Sequence, residues 1–536
     1  MSKLNTLKKN YILWKKTSDF YVKWVATSEL KNFFSKNIKI KNLSLWWATD
    51  ICKKDNMIDN RWFFELKDFL YNNKKTKFNK PKFFLIFFLK FTKNFFTSII
   101  WYSIIKILSF TRFKKIKKSN CFHSINYNFL KNKNDYIYDR CYGNAHTVNY
   151  KKNFFLITVA RRKNFFLDIL GKKRIEKKIP SIVADEFISV KDVFLVNLKV
   201  LGFFFKLLNF LRFKKNLFIV NKKNCSNILL PLLLTSFSGP IQSQLYIGIA
   251  INNFLKGKKI KNFITYSEFN PGIRSIYSFI RDSNNPPKIF AIQHGHSNEN
   301  LMFFKHQRNE FSKKKTDEGD LHSPSPDIYL TQGSQYAKIL KKYFPRKIKI
   351  IGCLKYDIYK FKRHTSQKPS NNHKLKKKII LLCPSIGDQD YILDYLKKSI
   401  NRDNTYILSP HPAYREVIEK KYFSVLKSKC DLKIINNTST FNLLKISDVV
   451  ICGFSTIAYE ALFLGAKPIR VVDPYQPQFF DLKDKLPIID NHLDLKKEFE
   501  IRNFNKKLPI ARQIKREYFY KLDNKSKNRF WNIINK

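Results

Sequence analysis

Apolar and polar positions change rhythm along the chain, and the first half is dominated by long, nearly continuous apolar stretches. Pro81 to Phe110 reads PKFFLIFFLKFTKNFFTSIIWYSIIKILSF and runs directly into Arg112, Lys114, Lys115, Lys117 and Lys118. Leu198 to Phe213, LKVLGFFFKLLNFLRF, is followed by Lys214 and Lys215. At about 100° per residue, Lys199, Gly202, Lys206, Asn209 and Arg212 fall in one arc and the other positions are Leu, Val or Phe, which predicts a basic amphipathic helix. The run from Phe95 to Phe110 is shorter than the roughly 20 residues a spanning helix needs, and it carries Lys106. Spanning is therefore the least favoured reading. The two that remain are helices lying in a membrane interface, with aromatics inserted and lysines toward anionic head groups, and core helices of an N-terminal domain.

Beyond Asn253 short apolar strands alternate with amphipathic helices. Strands are expected at 261–267, 288–293, 327–331 and 347–351, with helices at 271–281 and 334–343 between them. The segment 360–378, KFKRHTSQKPSNNHKLKKK, has almost no apolar content and reads as a linker. Alternation then resumes with strands near 379–383, 404–409, 432–436, 448–452 and 468–472. Two runs of βα units separated by a polar linker imply two doubly wound α/β domains facing one another. The boundaries this gives are a first domain over 1–359 with apolar helical insertions near 70–120 and 196–216, the linker, a second domain over 379–510, and a C-terminal helix over 511–536.

Composition alters this picture in three places. With 536 residues, 44% apolar and 16% aromatic, the chain is too hydrophobic for a disordered basic tail and long enough for two or more domains. Its net charge of +61 points to a polyanionic partner, but the excess of Lys, Asn, Ile, Phe and Tyr is also what AT-rich codons produce. Position is more informative than the total: no acidic residue occurs from Phe69 to Asn134 or from Val193 to Ser267, the two stretches that hold the apolar segments. The eight cysteines are scattered without CxxC or zinc spacing, so a reducing compartment is expected. Met1 to Lys16 has no apolar run beyond Tyr11 to Trp14, too short for a secretory signal, which places the chain on the cytoplasmic side. Glycine is scarce, 14 against the roughly 38 of average usage, and Gly295, Gly333, Gly352, Gly387 and Gly453 follow expected strands, on the rim where open α/β sheets bind ligands.

Four strand ends carry candidate chemistry. ITYSEFN ends at Glu268, AIQHGHS supplies Gln293, His294 and Gly295, YILSPHPAYR supplies His411-Pro412 and Arg415, and VVICGFSTIAYEALFLG supplies Gly453, Ser455, Thr456 and Glu460. A Ser-Thr step opening a helix offers amide and hydroxyl donors to a phosphate, although Ser455 taken alone reads first as an ordinary N-cap. In order and spacing, His411-Pro412-x-x-Arg415, Phe454-Ser-Thr-x-x-x-Glu460-Ala461 and Gly465-Ala-Lys-Pro468 resemble the GT-B glycosyltransferases of bacterial surface polysaccharides. The likeness is to HP/ST-motif families: CDP-glycerol glycerophosphotransferases, sialyl- and polysialyltransferases, and capsule-type Kdo transferases. Gln293-His294-Gly295 and Gly352-Cys-Leu-Lys-Tyr-Asp357 are similar to pieces of the glycerophosphotransferase pattern. The resemblance spans about 260–475.

The resemblance implies a GT-B fold with an acceptor-side first domain and a second domain that binds a nucleotide-sugar donor. It implies His411, Arg415, Ser455 and Thr456 as the donor-phosphate cradle, offsetting charge on the leaving nucleotide. Ser385, Gly387 and Glu460 are the nucleotide-side candidates, and His294, with Glu268 second, is the base that deprotonates the acceptor. No copy of the sialyltransferase acidic-acidic-Gly motif is present; Asp185-Glu186 lacks the glycine. Asp388-Gln-Asp390 fits a metal-binding DxD pattern, but its place at a helix start favours an acidic N-terminal pair, and His294-x-His296 has no third ligand nearby, so no metal or separate cofactor is expected.

The expectation is a cytoplasmic glycosyltransferase, peripheral on the inner face of the membrane. Its partners would be a nucleotide-sugar donor, a glycan or lipid-linked acceptor and an anionic membrane surface. A CDP-polyol phosphotransferase of the same fold is the alternative. A basic nucleic-acid-binding protein is a further one, but no helix-turn-helix, zinc-finger or RNA-recognition signature accompanies the charge.

Overall fold

The structure is a computed structural model that describes residues 3–55, 61–74, 76–108, 119–125, 129–131, 137–148, 150–158, 179–214, 216–266, 269–293, 295, 301–358, 378–385, 388–410, 415–435, 440–453, 455–471, 473, 475, 488–489 and 508–536. Its frame is two parallel sheets. The first consists of β1 (Asn120–Ile125), β2 (Asn153–Thr158), β3 (Ser181–Val183), β4 (Asn262–Tyr266), β5 (Lys288–Ile292), β6 (Ile328–Thr331) and β7 (Lys347–Ile350), in the order β7-β6-β5-β4-β1-β2-β3. The second consists of β8 (Ile379–Cys383), β9 (Thr405–Leu408), β10 (Asp431–Ile434), β11 (Val449–Cys452), β12 (Lys467–Val471) and β13 (Ile488–Ile489), in the order β10-β9-β8-β11-β12-β13.

The strand sequences explain why the sheets are parallel and covered on both faces. Val449–Cys452 and Thr405–Leu408 are buried at every position, the unalternating run that a strand sandwiched between helices requires. Strands and helices expected beyond Asn253 are observed within one or two residues; Pro271–Arg281 is a helix capped by the Asn270 side chain, with proline in its first turn. Three strands of the first sheet, β1 to β3, come from a region that carries no strand expectation. The signal was present in FFLIT of 154–158, an apolar run bounded by polar residues, but the longer apolar segments around it masked it.

The apolar segments form two long helices. One, α2, runs Lys80–Leu108, close to the full Pro81 to Phe110 segment, with Lys90 and Lys93 facing outward so that they do not interrupt it. The other, α3, runs Val190–Phe213 and opens on a reciprocal cap in which the Ser189 and Asp192 side chains satisfy each other's backbone amides. An N-terminal helix, α1 (Lys3–Thr27), packs through Trp14 on Phe63 and Phe64 of the helix Arg61–Asn72. Behind them α4 (Pro240–Leu255) crosses α5 (Pro271–Arg281) closely: a Cβ at Gly248 would lie 2.4 Å from the Phe279 ring.

The C-terminus is two helices rather than one. In the first, α8 (Leu508–Phe519), Ile514 and Phe519 pack into one face of the second sheet's core. The next, α9 (Ser526–Ile534), returns to the first domain, where Trp531 Nε1 donates to the Ala145 carbonyl at 2.8 Å and Phe530 packs on Phe122. All eight cysteines are free, and seven are buried.

The N-terminal helical region is fastened to the first sheet domain by a fully buried carboxylate. Glu310 receives Lys54 Nζ at 2.7 and 2.8 Å, Arg274 at 3.2 Å and His306 Nδ1 at 3.1 Å. Burial alone would push its carboxyl up, but Lys54, His306 and Arg274 overrule this and hold it well below the usual carboxylate range. Removing the carboxylate leaves two cations buried without their counter-charge, a loss of about 3–5 kcal/mol for a pair of this kind. Glu310→Gln is therefore expected to lower the unfolding free energy by that order in urea titrations, and an unchanged midpoint would show that the cluster contributes nothing net.

Candidate active site at the two strand-end crevices

In each sheet the chain adds strands in one direction, then returns to the starting strand and adds the rest on its other side. The first sheet starts at β1, proceeds to β2 and β3, and resumes at β4 on the opposite flank; the second starts at β8 and resumes at β11. In the second sheet the helices that follow β8 and β11 pack into different core clusters, one on each face, and a crevice opens between them at the carboxyl ends. In the first, β4 leads into α5, whereas β1 is followed by the short hairpin Phe129–Lys131 with Ile137–Asp139, and the strand order reverses at the same edge.

At the crevice of the second sheet, the Asp388 side chain accepts from the Ser385 amide at 2.7 Å and is itself almost wholly buried. Asp388 thus ties the loop after β8 to the start of helix α6 (Gln389–Ser399). Across from it, Gly453 ends β11 so close that a Cβ there would meet the Asp388 carboxylate at 2.1 Å. Asp390 turns away to Lys421 at 2.5 Å and is exposed, so the two carboxylates of the DxD pattern do not converge. Ser455 Oγ accepts from the Ile457 amide at 3.3 Å, and Thr456 is the N-cap of α7 (Ile457–Phe463). The Ser455 role open in the sequence is thus partly capping, which leaves its hydroxyl hydrogen to donate elsewhere.

Glu460 lies on the buried side of α7, where Tyr356 Oη donates to its Oε1 and Lys355 Nζ approaches the same atom at 3.4 Å. Both partners belong to the Gly352–Asp357 segment, so this carboxylate links the end of the first domain to the second. Arg415 opens the helix Arg415–Leu426 that follows β9 and pairs with Glu419 at 2.6 Å. Sequence reasoning missed Arg470, which β12 places opposite Cys452 and buries; only the pairing of β11 with β12 brings it to this rim. The Cys452 thiol is pushed up to about 12 by burial, against the opposing pull of Arg470.

At the crevice of the first sheet, β1 and β4 are joined through His123, whose Nδ1 lies 3.1 Å from Thr265 Oγ1 and whose Nε2 lies 2.9 Å from Thr158 Oγ1. Burial pushes this imidazole down to about 4. Beside it, Asp139 accepts from Ser124 Oγ and from the Cys141 and Tyr142 amides at 2.5, 2.7 and 3.0 Å, and burial raises its carboxyl to about 6 against those bonds. Neither residue was singled out in the sequence. After β5, Gln293 binds the Gly295 carbonyl through Nε2 at 2.8 Å and accepts from the Gln332 amide at 2.9 Å.

His294, Glu268, Gly387 and His411 lie outside the described residues, as does His296. Of the five glycines expected on a ligand rim, Gly333 and Gly352 are used differently: a Cβ would strike Glu517 at the end of α8 at 2.2 Å and Ser526 at the start of α9 at 2.6 Å. They admit the C-terminal helices. A cavity of about 650 Å³ lined by Arg281, Lys288, Lys315 and Asp327 lies at the opposite, amino-terminal edge of the first sheet. Its charges are paired with one another, Arg281 and Lys315 both meeting Asp327, at 3.0 and 2.6 Å, and it is remote from the crevices.

No protein-family model matches the chain. The teichoic acid glycerol-phosphate primase of Bacillus subtilis (strain 168) is 29% identical over 182 residues, 31% of this chain and 44% of that protein, so the match spans less than half of the relative's length. Among solved structures, the wall teichoic acid polymerase TagF aligns with 86% of this chain and 98% of its own at 11% identity and a TM-score of 0.38. UDP-GlcNAc 2-epimerase from Neisseria meningitidis bound to UDP-GlcNAc aligns with 78% and 99% at 10% identity and a TM-score of 0.38. Acinetobacter baumannii MurG aligns with 78% and 98% at 9% identity and a TM-score of 0.37. Two Rossmann-like domains with their carboxyl-end crevices make this a GT-B type of architecture, the class expected from the motifs.

Two outcomes follow from the packing. Gly453→Ala would force Asp388 off the Ser385 amide, and calorimetry is expected to read a loss of about 1–3 kcal/mol, the cost of overpacking a closed contact. For His123, the folded value near 4 lies below the ~6.5 of an exposed imidazole, so between those values the unfolded chain binds a proton the native state refuses. Its contribution to stability is complete above about pH 6.5 and is lost as pH falls toward 4. His123→Asn should therefore shrink the drop in unfolding free energy between pH 7 and pH 4 by up to about 3 kcal/mol; identical pH profiles would show that the buried ring protonates freely.

Proposed function

We propose that the chain is a transferase that moves an activated unit, a sugar or a polyol phosphate, from a nucleotide-linked donor to a growing cell-surface polymer or lipid-linked glycan at the cytoplasmic face of the membrane. The observation that carries the reading is a coincidence of two independent lines. Strand order sets where each sheet opens its crevice, and the motif residues flank both openings: Ser385, Gly453 and Ser455 in the second sheet, and the end of β4, with Glu268 next but one after Tyr266, in the first. Between the two units, the 182-residue match to a glycerol-phosphate primase favours the polyol phosphate.

In this reading the acceptor hydroxyl gives its proton to His294, with Glu268 as the second candidate base, as its oxygen attacks the phosphorus of the activated unit. The bond from that phosphorus to the bridging oxygen breaks, and the nucleoside monophosphate leaves. For a sugar, attack falls on the anomeric carbon and the nucleotide leaves with its terminal phosphate. His411, Arg415, Ser455 and Thr456 donate to the charge that grows on the departing phosphate. Ser385 and Gly387 are the residues assigned to the nucleotide. Lys355 and Tyr356 both meet Glu460 at Oε1, so Oε2 is the oxygen that would meet a ribose hydroxyl. The donor is a co-substrate, and no separate cofactor or metal enters the scheme.

The test begins with thermal unfolding in the presence of CDP-glycerol, UDP-, CMP- and GDP-linked donors; a true donor at 100 times its Kd stabilises the fold by about 2.7 kcal/mol. The donor so identified is then used in transfer assays, in which His294→Ala and His411→Ala are each expected to lower the rate by about 100-fold or more with folding intact. Full activity in both variants would overturn the site assignment, and stabilisation by none of the donors would overturn the function.

A further inference from the structure

Of the eighteen large apolar side chains that stand exposed among the described residues, twelve belong to α2 and α3. These two helices are adjacent and antiparallel: Phe87 stacks on Phe204 with centroids 4.2 Å apart, while further along α2 Phe95 meets Phe194, earlier on α3. Each has a buried stripe turned to the domain. On α2 it contains Phe87, Trp101, Tyr102 and Ile105, and Asn94 Nδ2 donates to the Ser238 carbonyl at 2.6 Å; on α3 Asn197 Nδ2 bonds the Tyr246 hydroxyl. At about 100° per residue, Leu85, Leu89 and Phe96 fall within about 60° of one another on the opposite side of α2, and Phe194, Leu198 and Phe205 do the same on α3. The exposed residues thus make one continuous apolar plate rather than two separate stripes.

The charge on this plate has one sign. α2 carries no acidic residue and α3 only Asp192 in its first turn, whereas Lys90, Lys93, Lys106, Lys199 and Lys206 are all exposed beside the apolar side chains. Aromatic and aliphatic side chains flanked by lysines whose stems can reach up to head groups are the chemistry that an anionic bilayer surface accepts. Both helices are long and apolar enough to cross a membrane by length and composition, and only 11% of the apolar window of α2 is buried. Their buried stripes and polar ties nevertheless hold them flat against a water-soluble domain, and crossing would strip those contacts away.

We propose that α2 and α3 together form the membrane-docking surface of this protein, lying parallel to the plane of an anionic phospholipid bilayer with their shared outer face in the head-group boundary. The inference assigns a surface to the membrane placement in the transferase reading; it stands on the exposed faces of α2 and α3 alone, and its test does not read transfer. The occupant is a lipid surface, because a plate of one charge sign with flush apolar side chains needs no matching groove.

The experiment is co-sedimentation of the full chain with vesicles of phosphatidylglycerol and phosphatidylethanolamine, and with vesicles of phosphatidylcholine alone. Binding is expected to be at least 10-fold tighter to the anionic vesicles and to weaken with salt. Leu89→Glu with Phe96→Glu and Phe205→Glu should reduce vesicle affinity at least 10-fold while leaving the thermal midpoint unchanged, since all three side chains are exposed. Lys90→Gln with Lys93→Gln and Lys206→Gln should abolish the preference for anionic lipid. A Phe96→Trp variant should be quenched more by lipid brominated near the head group than by lipid brominated near the chain end. Equal binding by the Glu variant and the wild type, deeper quenching in the Trp variant, or self-association without vesicle binding would each overturn the proposal, the last by naming a second copy as the occupant.

Discussion

A parallel sheet cannot fold back on itself with a short turn, so every strand must be followed by a crossover, and all carboxyl ends gather on one edge. The direction in which strands are added then decides where a ligand can enter. In this protein both sheets begin in their interior, at β1 and β8, and both reverse direction there. His123 and Thr265 bridge β1 and β4 in the first, and Asp388 against Gly453 closes the approach of β8 and β11 in the second.

The two domains are held to each other by elements that lie far apart in sequence. Helix α8 covers the second sheet and α9 returns to the first, where the Trp531 indole reaches Ala145. Gly333 and Gly352 lack side chains where these helices press in. Glu460, reached by Tyr356 and Lys355, adds a polar link between the last part of the first domain and α7 of the second.

Charge acquires its meaning from where the fold places it. The Lys54–Glu310–Arg274 cluster spends cations inside, where a carboxylate offsets each of them in part and fastens the N-terminal helices to α5. The lysines of α2 and α3 stand outside, beside exposed Leu and Phe side chains, with no acidic neighbours along 69–134 or 193–267. The same residue type therefore acts as an internal fastener in one place and as an outward electrostatic surface in the other.

The sequence by itself determined the α/β class, the strand and helix positions beyond Asn253, and the rim on which Ser385, Arg415, Ser455 and Glu460 fall, because short buried strands and amphipathic helices have periods that survive in one dimension. The apolar segments of the first half were equally visible, though not the fact that they lie side by side. β1 to β3 escaped notice because a five-residue apolar run carries no period of its own among longer ones. Only the tertiary structure decided that the first sheet reaches back to Asn120, that Arg470, His123 and Asp139 stand at the crevices, that Glu460 meets Tyr356, and that two of the rim glycines serve the C-terminal helices. Each of these depends on contacts between residues tens to hundreds of positions apart, fixed by strand order and helix crossing, and local patterning contains no record of which strand lies beside which.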